Sequence, residues 1–130
     1  MRFTNRARTR PDSPDPRLRG RAYAVPFAEV WEAALETAAG RPRWTVVESD
    51  ARAGEIRAEA RTLLWKFVDD VTVRVSLDGD GLTRVDVASA SRKGSFDFGT
   101  NARRIARFLH ALDRRIRRPS TGGRTRDEVR

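Results

Sequence analysis

The stretch "FVDDVTVRVSLDGDGLTRVDVASAS", residues 67–91, carries the pattern from which the fold is read. Val71, Val73, Val75 and Leu77 alternate with Thr72, Arg74 and Ser76, the period of two that marks a strand with one buried face. "DGDG" (Asp78 to Gly81) supplies turn chemistry, and the chain returns with Val85 and Val87 directed inward. Just upstream, Ile56, Ala58 and Ala60 of "GEIRAEART" alternate with Arg57, Glu59 and Arg61. That strand pairs with "WTVVES" (44–49) through "DARAG" (50–54), so two hairpins in series predict four antiparallel strands.

Helical periodicity flanks the hairpins. Pro26 suits a first helical position, where its missing N–H is not needed. Phe27, Val30, Trp31, Ala34, Leu35 and Ala38 follow as an apolar stripe, with Glu29, Glu32 and Glu36 opposite and Gly40 as the expected C-terminal cap. "RAYAV" (21–25) before it reads as a short strand. Between Thr100 and Arg118, Ala102, Ile105, Phe108, Leu109, Leu112 and Ile116 fall on one arc of a helix. Arg103, Arg104, Arg107, Arg114, Arg115, Arg117 and Arg118 are expected on the other side. The pattern predicts an α+β fold: a single antiparallel sheet of four to five strands with two helices packed on one face, ordered β-α-β-β-β-β-α. The other sheet face is expected to be polar.

The 130 residues suit one domain, with 38% hydrophobic residues for a modest core and 35% charged residues for a solvated surface. Residues 1–18, with Pro11, Pro14 and Pro16 among charges, read as a flexible basic arm. Residues 19–118 form the domain, and 119–130 read as a flexible tail. The net charge of +9 is uneven. Residues 1–21 hold seven arginines against two acids and residues 103–130 hold ten against three, leaving the middle at −3. The absence of cysteine excludes disulfides and thiolate metal sites and suits a reducing compartment. The basic opening "MRFTNRARTRPDSPDPR" has no apolar run behind it, so neither a secretory signal nor a membrane span is expected and the cytoplasm is the default location.

Several activities lack their residues. "DGDG" resembles the start of a calcium loop, but loop position twelve holds Ser89 where a bidentate glutamate is needed. "DFG" (97–99) occurs without the glycine-rich loop, strand lysine and catalytic aspartate of a kinase. No phosphate-binding, dinucleotide-binding or nucleophile-elbow glycine motif is present. His110 is the sole histidine and falls on the arginine side of the last helix, which disfavours a histidine-assisted serine. That arginine side reads either as a solvated face or as a surface for phosphates or an anionic membrane, whereas Thr72, Arg74, Arg84 and Asp86 on the outer strand positions lack the aromatics of an RNA-recognition sheet.

Asp69 and Asp70 interrupt a β-branched run, and alternation puts Asp69 on the same face as Val71. A carboxylate there needs a partner, and Arg92 is the expected counter-ion. Three arrangements compete: an ion-paired clasp; a ligand pocket using Asp69, Asp70, Arg92 and Asn101; or a hard-cation site through Asp69, Asp70 and Asp97. In "SASRKGSFDFGTNARRI" (89–105), Ser89 and Ser91 end the strand, Gly94 and Gly99 permit the turn, and Asp97 or Thr100 caps the helix.

"FVDDV" (67–71) followed by "SASRKGSFDFGTNARRI" strongly resembles the bacterial and plant family called domain of unknown function 1499, over about residues 17–117. The resemblance implies one α+β domain without an established reaction, cofactor or substrate. Its motif singles out Asp69, Asp70, Ser89, Ser91, Arg92, Gly94, Asp97, Gly99, Asn101 and Arg104. Many relatives carry an "NCVSS"-like segment before the first strand, where this chain has "RPDSPDPR" (10–17). The candidate ligand-binding residues are therefore Asp69, Asp70, Ser89, Ser91, Arg92, Asp97, Asn101 and Arg104, with no catalytic residue, metal ligand or cofactor assigned. The expected function is a non-enzymatic binding or interaction module for an anionic ligand or a protein partner. The alternatives are a weak nucleic-acid or anionic-surface binder using the arginine-rich tails and last helix, and a small hydrolase or metal-dependent enzyme.

Overall fold

The four strands at Trp44–Asp50, Glu55–Arg61, Val68–Leu77 and Thr83–Ser91 form the antiparallel meander that the alternation predicts. The computed structural model of the chain describes residues 5–62, 67–92 and 99–117. Its elements are β1 (Arg6–Arg8), a 3-10 turn (Pro16–Leu18), β2 (Arg21–Tyr23), α1 (Phe27–Gly40), β3 (Trp44–Asp50), β4 (Glu55–Arg61), β5 (Val68–Leu77), β6 (Thr83–Ser91) and α2 (Thr100–Arg117). The strands pair in the order β1-β6-β5-β4-β3, and β2 also pairs with β6. β1 lies against Ala88–Ala90 and β2 against Thr83–Val85, so the two short strands share one edge of β6. No helix among the described residues is long and apolar enough to cross a membrane.

Both helices cover one face of this open sheet, giving the α+β class. Inward positions Ile56, Ala58, Val71, Val73, Val85 and Val87 are buried, whereas Arg57, Asp70 and Arg74 are exposed. Ile105, Phe108, Leu109 and Leu112 of α2 have no exposed surface, and each contributes about 1.5–3 kcal/mol by leaving water. Phe108 stacks on Trp44 at the start of β3, with ring centroids 5.4 Å apart. Leu77 departs from its expected inward place: it ends β5 at the turn, beyond the last core valine of that strand, and is 64% exposed.

Two local expectations are corrected. Part of the segment expected as an arm is a strand, so the described residues hold one strand more before α1 than the predicted order. β1 buries little apolar surface, and what recruits it is main-chain pairing. Thr9 N–H donates to the Val87 carbonyl, Ser91 N–H donates to the Asn5 carbonyl, and the Thr9 hydroxyl accepts from Val87 N–H while donating to Asp86. Such bonds leave no hydrophobic pattern to read. Gly40 ends α1 without a left-handed turn. Arg43 (φ 64°) takes that conformation instead, and its carbonyl accepts from Arg61 N–H at 2.9 Å.

α2 is also fastened along one flank. Asp113 accepts from Arg21 Nε at 2.9 Å and from the Tyr23 hydroxyl at 2.6 Å, tying the helix to β2. Burial, followed by the hydrogen bond to the Asp113 carboxylate, pushes the Tyr23 phenol well above its ordinary value. Protonated Tyr23 therefore stabilises the fold fully below about pH 10, where the unfolded phenol is also protonated, and this stabilisation is lost as pH rises beyond it. Urea unfolding followed from pH 8 to pH 11 is expected to show a fall in stability that Tyr23→Phe flattens, and equal falls in both proteins would overturn the assignment.

Candidate functional site

At the end of the sheet nearest the start of α2, the inner face changes from apolar to polar. Alternation brings Asp69 onto the face of Val71 and Val73, and Ser89 onto the face of Val85 and Val87. Asp69 stands opposite Ser91, and Val71 opposite Ser89. The first turns of α2 lower Asn101 and Arg104, three residues apart and thus on neighbouring helix positions, over these strand ends.

The result is a buried network. Arg104 Nη1 lies 2.7 Å from an Asp69 carboxylate oxygen, 2.9 Å from Asn101 Oδ1 and 3.1 Å from Ser89 Oγ. The Ser89 hydroxyl donates to Asn101 Oδ1 at 2.6 Å. Asn101 Nδ2 donates to the Asn5 carbonyl at 3.0 Å and to Ser91 Oγ at 3.1 Å. The side chains of Asp69 and Arg104 are only 3% and 10% exposed, so neither charge is tolerable without the other.

The expected partner of Asp69 is thereby corrected. Arg92 serves Asp70, and Arg104, expected among the solvent-facing arginines, serves Asp69. At about 100° per residue, Arg104 lies roughly 90° from the middle of the apolar arc, on the flank, and its long side chain reaches inward from there. A helical wheel sorts Cα positions and does not register that reach.

Asp70 points the other way. Arg92 Nε and Nη2 grip its carboxylate at 3.0 and 2.8 Å, and Nη2 also donates to Glu59 at 2.7 Å. The reason is cross-strand: Glu59 stands directly opposite Asp70, and two facing carboxylates repel unless a cation bridges them. The hydrogen bonds from Arg92 hold the Asp70 carboxyl below its ordinary value, and Asp70 and Glu59 in turn raise the Arg92 guanidinium. This triad is exposed, Asp70 by 56% and Arg92 by 48%. It borders a concavity of about 420 Å³ on the outer face, lined also by Val47, Arg57 and Thr72. Arg57 is held there by Glu48 at 2.7 Å.

The eight candidate residues thus divide. Asp69, Ser89, Ser91, Asn101 and Arg104 meet inside; Asp70 and Arg92 meet outside; Asp97 lies outside the described residues. The sheet stands between Asp69 and Asp70, so the two carboxylates converge neither on one ligand nor on one cation. Among the described residues no cluster of three or more metal-ligating side chains is present. Glu59, Arg57 and Val47 escaped the sequence reading, because only the β4–β5 register places Glu59 against Asp70. Among the described residues Ser89 has no general base: its proton goes to an amide oxygen, and His110 is exposed on α2.

The division carries a stability contrast between adjacent aspartates. Asp69→Asn or Arg104→Met is expected to cost about 3–5 kcal/mol by stranding the buried partner, measured by urea unfolding. The double replacement Asp69→Leu with Arg104→Met is expected to cost less than the two single changes summed. Asp70→Asn should move the unfolding midpoint little by comparison. Equal effects at positions 69 and 70 would contradict the two-faced placement.

The comparisons with known proteins agree with the resemblance read from these motifs. A family model described as "Protein of unknown function (DUF1499)" matches residues 2–112, from the strand that joins the edge of β6 through the core-facing part of α2. No curated protein matches the chain. With most of its length matched, including both the inner network and the outer triad, this chain belongs to the DUF1499 family.

Proposed function

We propose that the protein is a non-enzymatic binding module whose ligand occupies the outer-face concavity beside Asp70, Arg92 and Glu59. The observation that supports this is the division of the motif. The inner residues bond to one another, and among the described residues Ser89 donates to an amide oxygen and not to a base, whereas the outer triad faces solvent in a hollow of about 420 Å³. That volume is within the range of small-molecule sites.

The charges on the hollow favour a ligand carrying both signs, of the amino-acid or short-peptide class. Glu48, Glu59 and Asp70 face Arg57 and Arg92, so acids and bases are close together with one acid in excess. A ligand ammonium or guanidinium group substitutes for Arg92 before Asp70 and Glu59. The released Arg92 fork then takes the ligand's carboxylate in a bidentate contact. Val47, half exposed at the bulge of the edge strand, offers an apolar contact at the rim.

Thermal shift and amide chemical-shift mapping with a panel of amino acids, dipeptides, dicarboxylates and polyamines test this reading. Zwitterionic probes are expected to move the amides of Glu59, Asp70, Thr72 and Arg92, with the response lost in Asp70→Asn and Arg92→Ala. A panel in which no probe moves these amides, or one in which the response survives both substitutions, overturns it.

A further inference from the structure

The solvent face of α2 bears a separate feature. Arg103, Arg107, His110, Arg114 and Arg117 recur at intervals of four and three residues, and all five are exposed. At 3.6 residues per turn this spacing makes one straight stripe, about 21 Å long at 1.5 Å per residue. It lies opposite the buried row of Ile105, Phe108, Leu109 and Leu112. We infer that this stripe is a docking surface for the phosphate backbone of a nucleic-acid duplex.

Charge supports the choice first. α2 contains six arginines and one acid. Its acid, Asp113, is consumed by Arg21 and Tyr23 on one flank. Glu36 of α1, on the other flank, is taken by Arg115 at 3.1 Å. Arg104 is spent inside on Asp69. Asp113 and Glu36 are therefore committed elsewhere, and among the described residues Arg107, Arg114 and Arg117 form no ion pair. Arg107, Arg114 and Arg117, set on a rigid helix without a carboxylate partner among the described residues, complement a regular row of phosphates.

The form of the surface selects the partner. An amphipathic helix binds a lipid surface by burying its apolar side among acyl chains, but here that side is the protein core and has no exposed area at Ile105, Phe108, Leu109 or Leu112. Single strands are held by aromatic stacking, but the stripe carries no Phe, Tyr or Trp, and Phe108 on the buried side of α2 is stacked on Trp44 within the fold. What is left is contact with phosphates alone, which positions a protein on a duplex without reading its sequence. DNA and RNA duplexes share this chemistry.

The test is fluorescence anisotropy of the full chain with a short DNA duplex, an RNA duplex of the same sequence and phosphatidylglycerol vesicles, between about 50 and 200 mM salt. Duplex binding is expected, with the stronger of the two duplex arms naming the partner. The slope of log affinity against log salt should be shallower by about 2 in Arg107→Ala/Arg114→Ala. Arg52→Ala/Arg74→Ala, which removes the same charge from exposed positions away from α2, should leave the slope unchanged. Thermal melts establish that both variants fold, and alanine at exposed helix positions favours the helix. The inference is overturned if both variants lose slope equally, if neither does, if vesicles bind while duplexes do not, or if no duplex binds at the lowest salt.

Discussion

The contact between Asp69 and Arg104 is the constraint from which much of this structure follows. Two nearly buried charges, 2.7 Å apart, can persist only while β5 and the start of α2 hold a single relative position. Asn101 and Ser89 accept from the same Arg104 nitrogen and extend the same demand to β6. The apolar contacts of α2 farther along are non-directional and would tolerate a helix rotated or slid by a fraction of a turn. The network does not, because its hydrogen bonds have short distances and fixed directions. It therefore sets the axial position and rotation of α2, and with them the direction in which the exposed arginines point.

The same network explains why the neighbouring surface is available. A strand sends successive side chains to opposite faces, so placing Asp69 inside sends Asp70 outside. There it meets Glu59 across the strand pair, and Arg92 offsets the repulsion. The inner ion pair is sealed by its environment, whereas the outer triad is solvated and each member can exchange its partner. One dipeptide thus contributes to the integrity of the core and to a solvated surface triad, with the sheet separating the two.

The hairpins, both helices, their packing on one face and the inward direction of Asp69 were legible in residues 21–117, because each rests on a side-chain period of two or 3.6. Legibility failed where that period carries no information. β1 joins the sheet through main-chain bonds and the Thr9 hydroxyl, so its sequence of arginines and alanine resembles unstructured chain. Leu77 has the alternation of a core residue but stands past the last core valine of β5. Arg104 starts on the helix flank and reaches inward, and its partner is separated from it by 35 residues.

By itself, the sequence determined the class of fold, the covered sheet face and the motif residues, since local periodicity and composition suffice for these. Which aspartate meets which arginine was decided only in the tertiary structure. That pairing depends on strand register, on the rotation of α2 and on the reach of long side chains, all of which arise from contacts between distant parts of the chain. The polar corner suggested by Asp69, Asp70, Arg92 and Asn101 accordingly became two sites. One is closed within the core and the other is open on the outer face, separated by the sheet whose alternation created them both.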